Sequence, residues 1–203
     1  MLAGALMSVC QCLALRFRYR LPPSSPYCQF PGIGHTTSMQ QAPWSAIPLM
    51  MHTLTTSISL PFAREQVFAF FADATNLERI TPPELGFTIV TPGPIQLSAG
   101  ACIEYRLHLF GIPFSWCTEI QRWNPPEEFV DVQRRGPYKY WVHVHRFREE
   151  QGATIIEDEV QYALPYAPLG ELAYPLVRLQ LHRIFRYRQH AIRAYFCAGT
   201  RQH

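Results

Sequence analysis

Histidine and aspartate side chains stand among aromatic residues in two segments in the second half of the chain. Alternate positions of the first segment are Trp141, His143, His145 and Phe147. Alternate positions of the second segment are Ile156, Asp158, Val160, Tyr162 and Leu164. Successive side chains of a β-strand point to opposite faces, so each set shares one face. A hairpin that pairs Asp158 with either His143 or His145 therefore places a carboxylate beside an imidazole on an aromatic surface.

Three kinds of chemistry are open to His143, His145 and Asp158. As a structural pair, the carboxylate holds an imidazole in one tautomer, satisfies its hydrogen bonds and can also orient a polar group of a ligand. As a general acid and base, a histidine oriented by aspartate can move a proton. His-x-His with an aspartate also offers three metal ligands, although such a pair on a strand is a common accident. The first interpretation is favoured, and the sequence predicts neither a metal nor a cofactor.

Other polar residues have positions that would add them to this group. Asp131 and Gln133 share the required strand parity. Arg188 lies near the apolar stripe of a long helix, where it could counter a buried carboxylate, and a surface position fits it equally well.

Alternation and helical spacing predict the elements that position these residues. We expect a first strand at 53–60, a helix at 63–73 and a second short helix from Asn76 that Pro82 and Pro83 end. Strands are predicted at 87–90, 103–109, 114–123 and 129–135, before the hairpin that the polar stretch 148–153 joins. A helix from Pro175 to Cys197 follows, and Gly199 is a suitable stop.

The last helix is long enough to cover a sheet. At about 1.5 Å per residue, a helix over 176–197 is about 33 Å long, close to the length of a strand of nine or ten residues at about 3.3 Å each. Its predicted apolar stripe consists of Val177, Leu181, Ile184, Phe185, Ile192 and Tyr195.

Composition and motifs exclude several classes of function. The formal charge of +3 is too small to indicate nucleic-acid binding, whereas six arginines and one acid in the last 33 residues permit transient contact with an anionic membrane. The sequence has no G-x-G-x-x-G after a strand and no G-x-x-x-x-G-K-[ST], G-x-S-x-G or H-E-x-x-H. Dinucleotide, nucleotide-triphosphate, serine-hydrolase and zincin chemistry therefore have no support.

Cysteine usage and the first fifty residues bear on location and boundaries. Cys102, Cys117 and Cys197 are scattered without a C-x-x-C pair, which favours a reducing compartment and a cytoplasmic location.

Residues 1–50 contain six prolines and no acid, and we interpret them as an unstructured or mis-annotated leader, with a transit peptide as the alternative. The predicted domain is 51–198, with a tail at 199–203.

The order of elements and several short motifs resemble a known superfamily. One strand, two short helices, a run of strands and a long C-terminal helix is the order of the helix-grip fold. The motifs are Leu60-Pro61-Phe62, Asn76-Leu77-Glu78, Ile80-Thr81-Pro82-Pro83, Gly136-Pro137-Tyr138, Trp141-x-His143-x-His145-x-Phe147 and Asp158-x-Val160-x-Tyr162. Over about residues 52–196 the chain looks like a ligand-binding member of the START/SRPBCC superfamily, close to its polyketide cyclase/dehydrase and coenzyme Q-binding groups.

The resemblance implies an α+β helix-grip fold and a ligand cavity. A curved antiparallel sheet of about six to seven strands would wrap around the C-terminal helix. The expected pocket residues are Tyr105, Leu107, Trp116, Trp141, His143, His145, Phe147, Asp158, Val160, Tyr162, Leu181, Phe185 and Arg188. The implied function is binding or carriage of a lipid, an isoprenoid quinone or a polyketide-like molecule. The alternative is a cyclase or dehydratase that uses His143 or His145 with Asp158.

Removal of the leader tests the predicted boundary. If residues 1–50 are unstructured or untranslated, a chain that begins at Met51 should melt at the same temperature as the full chain. Scanning calorimetry of both chains checks this. A loss of more than a few degrees, which corresponds to roughly 1 kcal/mol or more, would mean that the leader packs on the fold.

Overall fold

One antiparallel sheet and one long helix make up most of the region that carries the polar residues. The structure is a computed structural model that describes residues 50–199. Its strands are β1 His52–Leu60, β2 Thr88–Ile89, β3 Cys102–Leu109, β4 Ile112–Asn124, β5 Glu128–Arg135, β6 Tyr140–Glu150 and β7 Ala153–Ala163. Its α-helices are α1 Arg64–Ala72, α2 Asn76–Arg79 and α3 Tyr174–Gly199, with 3-10 turns at Pro83–Leu85 and Leu169–Ala173.

The strands form a single open sheet in the order β1-β7-β6-β5-β4-β3-β2. Every neighbouring pair is antiparallel. Between β4 and β5 the register shifts at Cys117/Thr118 and again at Ile120/Arg122. Such bulges bend a strand and increase its twist, so they help the sheet to curve around the helix. The predicted α+β helix-grip fold, with its two short helices after β1, is confirmed.

The helix α3 packs on the sheet through an apolar stripe. The buried residues of this stripe are Leu181, Phe185, Ile192 and Phe196. Their i, i+4, i+11 and i+15 spacing keeps them on one helix face. The prediction that Tyr195 belongs to the stripe is wrong, because Tyr195 is 45% exposed and the next residue takes the buried position. Among the described helices, none is long and apolar enough to cross a membrane.

The hairpin of β6 and β7 has a tighter turn than the sequence suggests. Both strands continue through most of the predicted polar connection, and only Gln151 and Gly152 lie between them. Both residues have positive φ angles, of 52° and 78°, as a two-residue hairpin turn of type I′ requires. The resulting register pairs His145 with Asp158 and His143 with Val160. Of the two pairings that the sequence allows, the structure has the one between 145 and 158.

The interior contains two apolar clusters with polar residues between them. The buried members of the first cluster include Ile58, Phe68, Phe129, Phe147, Ile156, Ile192 and Phe196. The second includes Leu54, Leu107, Trp116, Trp141, Val160, Tyr162, Leu181 and Phe185. Along β6 the two histidines separate Trp141 from Phe147, and along β7 Asp158 separates Ile156 from Val160. The polar side chains are therefore a layer inside the molecule.

The predicted leader and tail lie almost wholly outside the described residues. Of the leader at 1–50 only Met50 is described, and of the tail at 199–203 only Gly199. Both boundaries stay predictions.

Phe147 provides a test of the first apolar cluster. Its ring is 1% exposed, and ring centroids of Phe68, Phe71 and Phe129 lie 5.2, 5.1 and 6.0 Å away. Phe147→Ala should therefore lower the free energy of unfolding by about 3–5 kcal/mol, measured by chemical denaturation. Phe110→Ala is the control, because Phe110 is 47% exposed. Equal losses in the two variants would contradict this packing.

Candidate functional site

Two carboxylates and two imidazoles from neighbouring strands meet between the apolar clusters. Asp131 lies on β5, His143 and His145 on β6, and Asp158 on β7. His143 Nε2 is 3.0 Å from Asp158 Oδ1, and His145 Nε2 is 3.0 Å from Asp131 Oδ2. The histidine ring centroids are 3.7 Å apart. We call these four residues the polar quartet.

Each imidazole faces both carboxylates. His145 Nδ1 lies 2.9 Å from Asp158 Oδ1, and His143 Nδ1 lies 3.6 Å from Asp131 Oδ2. The close approach of His145 Nδ1 is not an aligned hydrogen bond, and this buried nitrogen has no other partner. Thr56 on β1 donates a hydrogen bond to Asp158 Oδ2 at 3.4 Å. Asp158 is thus held from both sides within the sheet.

Burial and mutual contact set the charges of the polar quartet. Burial raises the pKa of both carboxyls, but hydrogen bonds and charges from the histidines outweigh burial and hold each pKa below its usual value. Burial lowers the pKa of His145, but its contacts with Asp131 and Asp158 overcome burial and raise the pKa. Burial and then the charge of His145 lower the pKa of His143. The quartet therefore holds two carboxylates, one imidazolium and one neutral imidazole near pH 6.5.

A cavity of about 140 Å³ lies beside the polar quartet, between the sheet and α3. The predicted pocket residues that line it are Tyr105, Leu107, Trp116, Trp141, His143, His145, Leu181, Phe185 and Arg188. Its walls are mostly apolar, with both aliphatic and aromatic side chains, and Trp116 and Trp141 pack edge to face there at a centroid distance of 5.3 Å. Polar groups are few, so the cavity combines an apolar surface with a small polar region.

Four predicted pocket residues do not line the cavity. Phe147 belongs to the first apolar cluster, while Val160 and Tyr162 lie in the second cluster with exposures of 0% and 2%. Asp158 contacts the histidines instead of the cavity. All four residues lie on the predicted inner face of the sheet. Helix α1 contacts β7 and helix α3 contacts β1, so helices cover this face at the β1–β7 end. Phe147, Asp158, Val160 and Tyr162 are therefore buried on the predicted face without being part of the cavity wall.

Other residues of the cavity were absent from the predicted set. From β4 and β5 they include Thr118, Ile120, Phe129 and Asp131, and strand parity identifies all of them once the registers are known. The segment around α1 and α2 adds Phe70, Phe71, Asn76 and Leu77, whose placement depends on tertiary packing. Gln133 does not join the polar quartet, because its side-chain amide donates to the Tyr138 carbonyl at 2.8 Å.

Arg188 extends from α3 to the cavity wall. Its guanidinium carbon lies 5.2 Å from the centroid of the Phe185 ring, within the range of a cation–π contact. Its charge helps to lower the pKa of Asp131. The buried Nε atom has no hydrogen-bond partner. Arg188 thus offers positive charge and an unused donor at the cavity, as the first of the two predicted interpretations requires.

Comparison with known proteins places this geometry in a family. Residues 60–192 match the family model described as polyketide cyclase / dehydrase and lipid transport. The chain belongs to this family. The predicted membership of the SRPBCC superfamily is confirmed. No curated protein matches the sequence.

Several solved structures of other proteins share the fold. A protein from Mycobacterium smegmatis is 20% identical, with 72% of this chain and 92% of that chain covered and a TM-score of 0.55. The Zhui aromatase/cyclase from a Streptomyces species is 13% identical, with 72% and 93% covered and a TM-score of 0.59. The ginseng major latex-like protein 151 from Panax ginseng is 12% identical, with 71% and 97% covered and a TM-score of 0.52. At these identities the similarity establishes the fold alone.

Histidine titration by NMR checks the charges of the polar quartet. We expect the His145 ring to keep its proton above pH 6.5, because two carboxylates face it, and the His143 ring to stay neutral below that pH. Asp158→Asn removes one of these charges, so the pKa of His145 should fall toward 6.5. Glu157→Gln is the control, because Glu157 pairs with Arg148 on the other face. An unchanged His145 pKa in Asp158→Asn would contradict the assigned contacts.

The same shifts determine how stability depends on pH. The raised pKa of His145 means that its contribution to stability is complete below pH 6.5 and is lost as pH rises through the folded-state pKa. The lowered pKa of Asp158 means that its contribution is present above pH 3.8 and is lost as pH falls through the folded-state pKa. Denaturation at a series of pH values should show both losses in the wild type and a smaller acid loss in Asp158→Asn.

Proposed function

We propose that the protein binds a small hydrophobic molecule in the cavity between the sheet and α3. The observation that carries this proposal is the cavity itself, a mostly apolar space with a small number of polar groups on its wall. Ligand sites in proteins commonly combine an apolar lining with a small number of placed polar groups. The family description, which names cyclase/dehydrase enzymes and lipid transport, supports the same reading.

The size of the cavity favours a ring over a long chain. Its volume of about 140 Å³ is close to that of an apolar cavity of about 150 Å³ that binds benzene. Pockets for larger ligands have about 300–1,000 Å³, so a bulky lipid would require side chains to move. Among the predicted ligand classes, the ring of a polyketide-like molecule or the head-group ring of an isoprenoid quinone therefore fits better than an extended acyl or isoprenoid chain.

The polar side of the cavity can orient such a ring. His145 and Asp131 line it as a hydrogen-bonded pair, and Arg188 adds the unpaired Nε donor. Thr118 also lines it, although its hydroxyl oxygen already accepts a bond from Trp116 Nε1 at 3.0 Å. A carbonyl or hydroxyl oxygen on the ligand would find partners here, which gives the cavity a preferred ligand orientation.

A cyclase or dehydratase is the second candidate function. The observation that favours it is the position of the His145–Asp131 pair, which lies on the cavity wall within reach of a bound molecule. General acid–base chemistry needs a group of this kind at hydrogen-bond distance from the substrate. Asp158 would then be a positioning residue, since it contacts the imidazoles without lining the cavity.

Membrane contact and a cytoplasmic location also belong to this proposal. Large apolar side chains are exposed before and at the start of α3, including Leu169 at 72%, Leu172 at 81% and Leu179 at 68%. The exposed Arg178 lies beside them, and basic with apolar groups is the pattern that favours an anionic membrane surface. The cytoplasmic location rests on the cysteine pattern alone.

Filling the cavity tests the proposed binding. Leu107 lines the cavity, so Leu107→Trp should abolish binding of a small apolar fluorescent dye no larger than two fused rings, such as indole, while costing less than the roughly 1–3 kcal/mol of an overpacked core. Val160→Trp is the matched control, because Val160 is fully buried outside the cavity. It should destabilise the protein by at least that amount.

Dye fluorescence and chemical denaturation on the same samples separate the outcomes. Binding by the wild type that Leu107→Trp removes would support the cavity as the site. A wild type that binds no dye, together with strong destabilisation by Leu107→Trp, would mean a solid core and would overturn the proposal. Independently of the dye, native mass spectrometry of the purified wild type would identify any molecule that the protein carries.

A further inference from the structure

Two imidazole nitrogens converge on one carboxylate oxygen at the cavity wall. Asp131 Oδ2 lies 3.0 Å from His145 Nε2 and 3.6 Å from His143 Nδ1. One possible ligand atom from each of these three residues lies within 4.8 Å of the other two. Ligand atoms at about 2.0–2.2 Å from a tetrahedral zinc ion are about 3.3–3.6 Å apart. The two separations between the carboxylate oxygen and the imidazole nitrogens, 3.0 and 3.6 Å, lie close to this range, so side-chain shifts would bring all three atoms to one ion.

The remaining imidazole nitrogens converge on a second carboxylate behind the first. His143 Nε2 is 3.0 Å and His145 Nδ1 is 2.9 Å from Asp158 Oδ1. A histidine that binds a metal typically donates its other N–H to a carboxylate, which fixes the tautomer and the ring orientation. Asp158 Oδ1 pairs with His143 Nε2 in an aligned bond, and a small rotation of the His145 ring would align the 2.9 Å contact of its Nδ1 with the same oxygen. This arrangement leaves the lone pairs of both rings directed at Asp131.

We propose that Asp131, His143 and His145 bind one divalent transition-metal ion, with Asp158 as the outer carboxylate that orients both histidines. Two imidazoles and one carboxylate suit Zn²⁺ or Fe²⁺, whereas Mg²⁺ and Ca²⁺ prefer sets of oxygen ligands. This inference goes beyond the proposed function, because binding of an apolar ring needs only the aromatic part of the cavity.

The site has free positions on the side of the cavity. All three proposed ligands line the cavity, so the positions that they leave open face the space where a ligand binds. Three protein ligands with an open position are typical of catalytic zinc sites, in contrast to structural sites with four. Water or an oxygen atom of the bound molecule would complete the coordination.

The ion would replace a proton. Without metal, His145 Nε2 and Asp131 Oδ2 share a hydrogen bond of 3.0 Å. A metal ion needs the lone pair of this nitrogen, so the proton leaves Nε2 for water as the ion binds. Neighbouring Arg188 makes the loaded site more positive, which favours an anionic oxygen on the bound molecule.

Metal titration of the full chain, freed of metal with EDTA, tests the proposal. Isothermal calorimetry should show one Zn²⁺ per chain and no comparable binding of Mg²⁺, and Zn²⁺ should raise the melting temperature. Bound Co²⁺ should give visible d–d absorption without a thiolate charge-transfer band, because the site contains no cysteine. A charge-transfer band would instead assign the metal to cysteines and overturn the proposal.

Variants locate the site. Asp131→Ala and His145→Gln should lose the Zn²⁺ stoichiometry, and Asp158→Asn should keep it with about 10–100-fold weaker affinity. His190→Gln is the control at an exposed histidine and should bind as the wild type does. Circular dichroism shows whether each variant folds, and Asp158→Asn decides the question if the ligand variants do not. Unchanged Zn²⁺ binding in all three quartet variants, or none in the wild type, would overturn the proposal.

The metal site and the apolar cavity can fail separately. Leu107→Trp changes the aromatic wall and leaves the proposed ligands in place, so it should bind Zn²⁺ with the wild-type stoichiometry even where the dye is excluded. A wild type that binds dye without Zn²⁺ would refute only the metal site. Zn²⁺ binding without dye binding would refute only the hydrophobic ligand.

Discussion

The mutual compensation of buried charges in the polar quartet is the constraint on which the rest of the structure depends. An unpaired carboxylate inside a protein costs several kcal/mol, so each of Asp131 and Asp158 needs a partner. The partners come from the adjacent strand β6, whose alternation puts both histidines on the inner face. A slip of one residue between β6 and β7 would turn His145 outward and leave Asp158 alone. The quartet therefore opposes such a slip in the hairpin.

The same polar layer divides the interior into parts with different properties. On one side, small spaces between α1, α3 and the sheet are filled by rings such as Phe68 and Phe147, whose centroids are 5.2 Å apart. On the other side, Trp116 and Trp141 pack edge to face and leave space between the sheet and α3. A ligand cavity can thus exist in a protein whose first cluster is well packed.

Sequence patterns could predict which face a residue occupies but not how far it lies from the cavity. Alternation placed His143 and His145 inside, and the structure has both on the cavity wall. The same alternation chose Val160 and Tyr162, which the packing of neighbouring rings and helices separates from the cavity. Helical spacing near the end of α3 erred by one residue, because Tyr195 and Phe196 are both aromatic and only tertiary contact distinguishes them. Contributions from α1 and α2 depend on tertiary packing and had no sequence signal.

The two aspartates of the polar quartet differ both in how the sequence indicates them and in where the structure places them. The sequence indicates Asp158 as a partner of the histidines because it lies in the same hairpin, whereas only strand parity indicates Asp131, which lies on the preceding strand. In the structure their positions relative to the cavity differ: Asp131 lines it, and Asp158 is behind the imidazoles. Any proton, ligand oxygen or metal ion that enters from the cavity therefore meets Asp131 and the histidines first. Asp158 acts on that exchange only through the orientation and charge of the two rings.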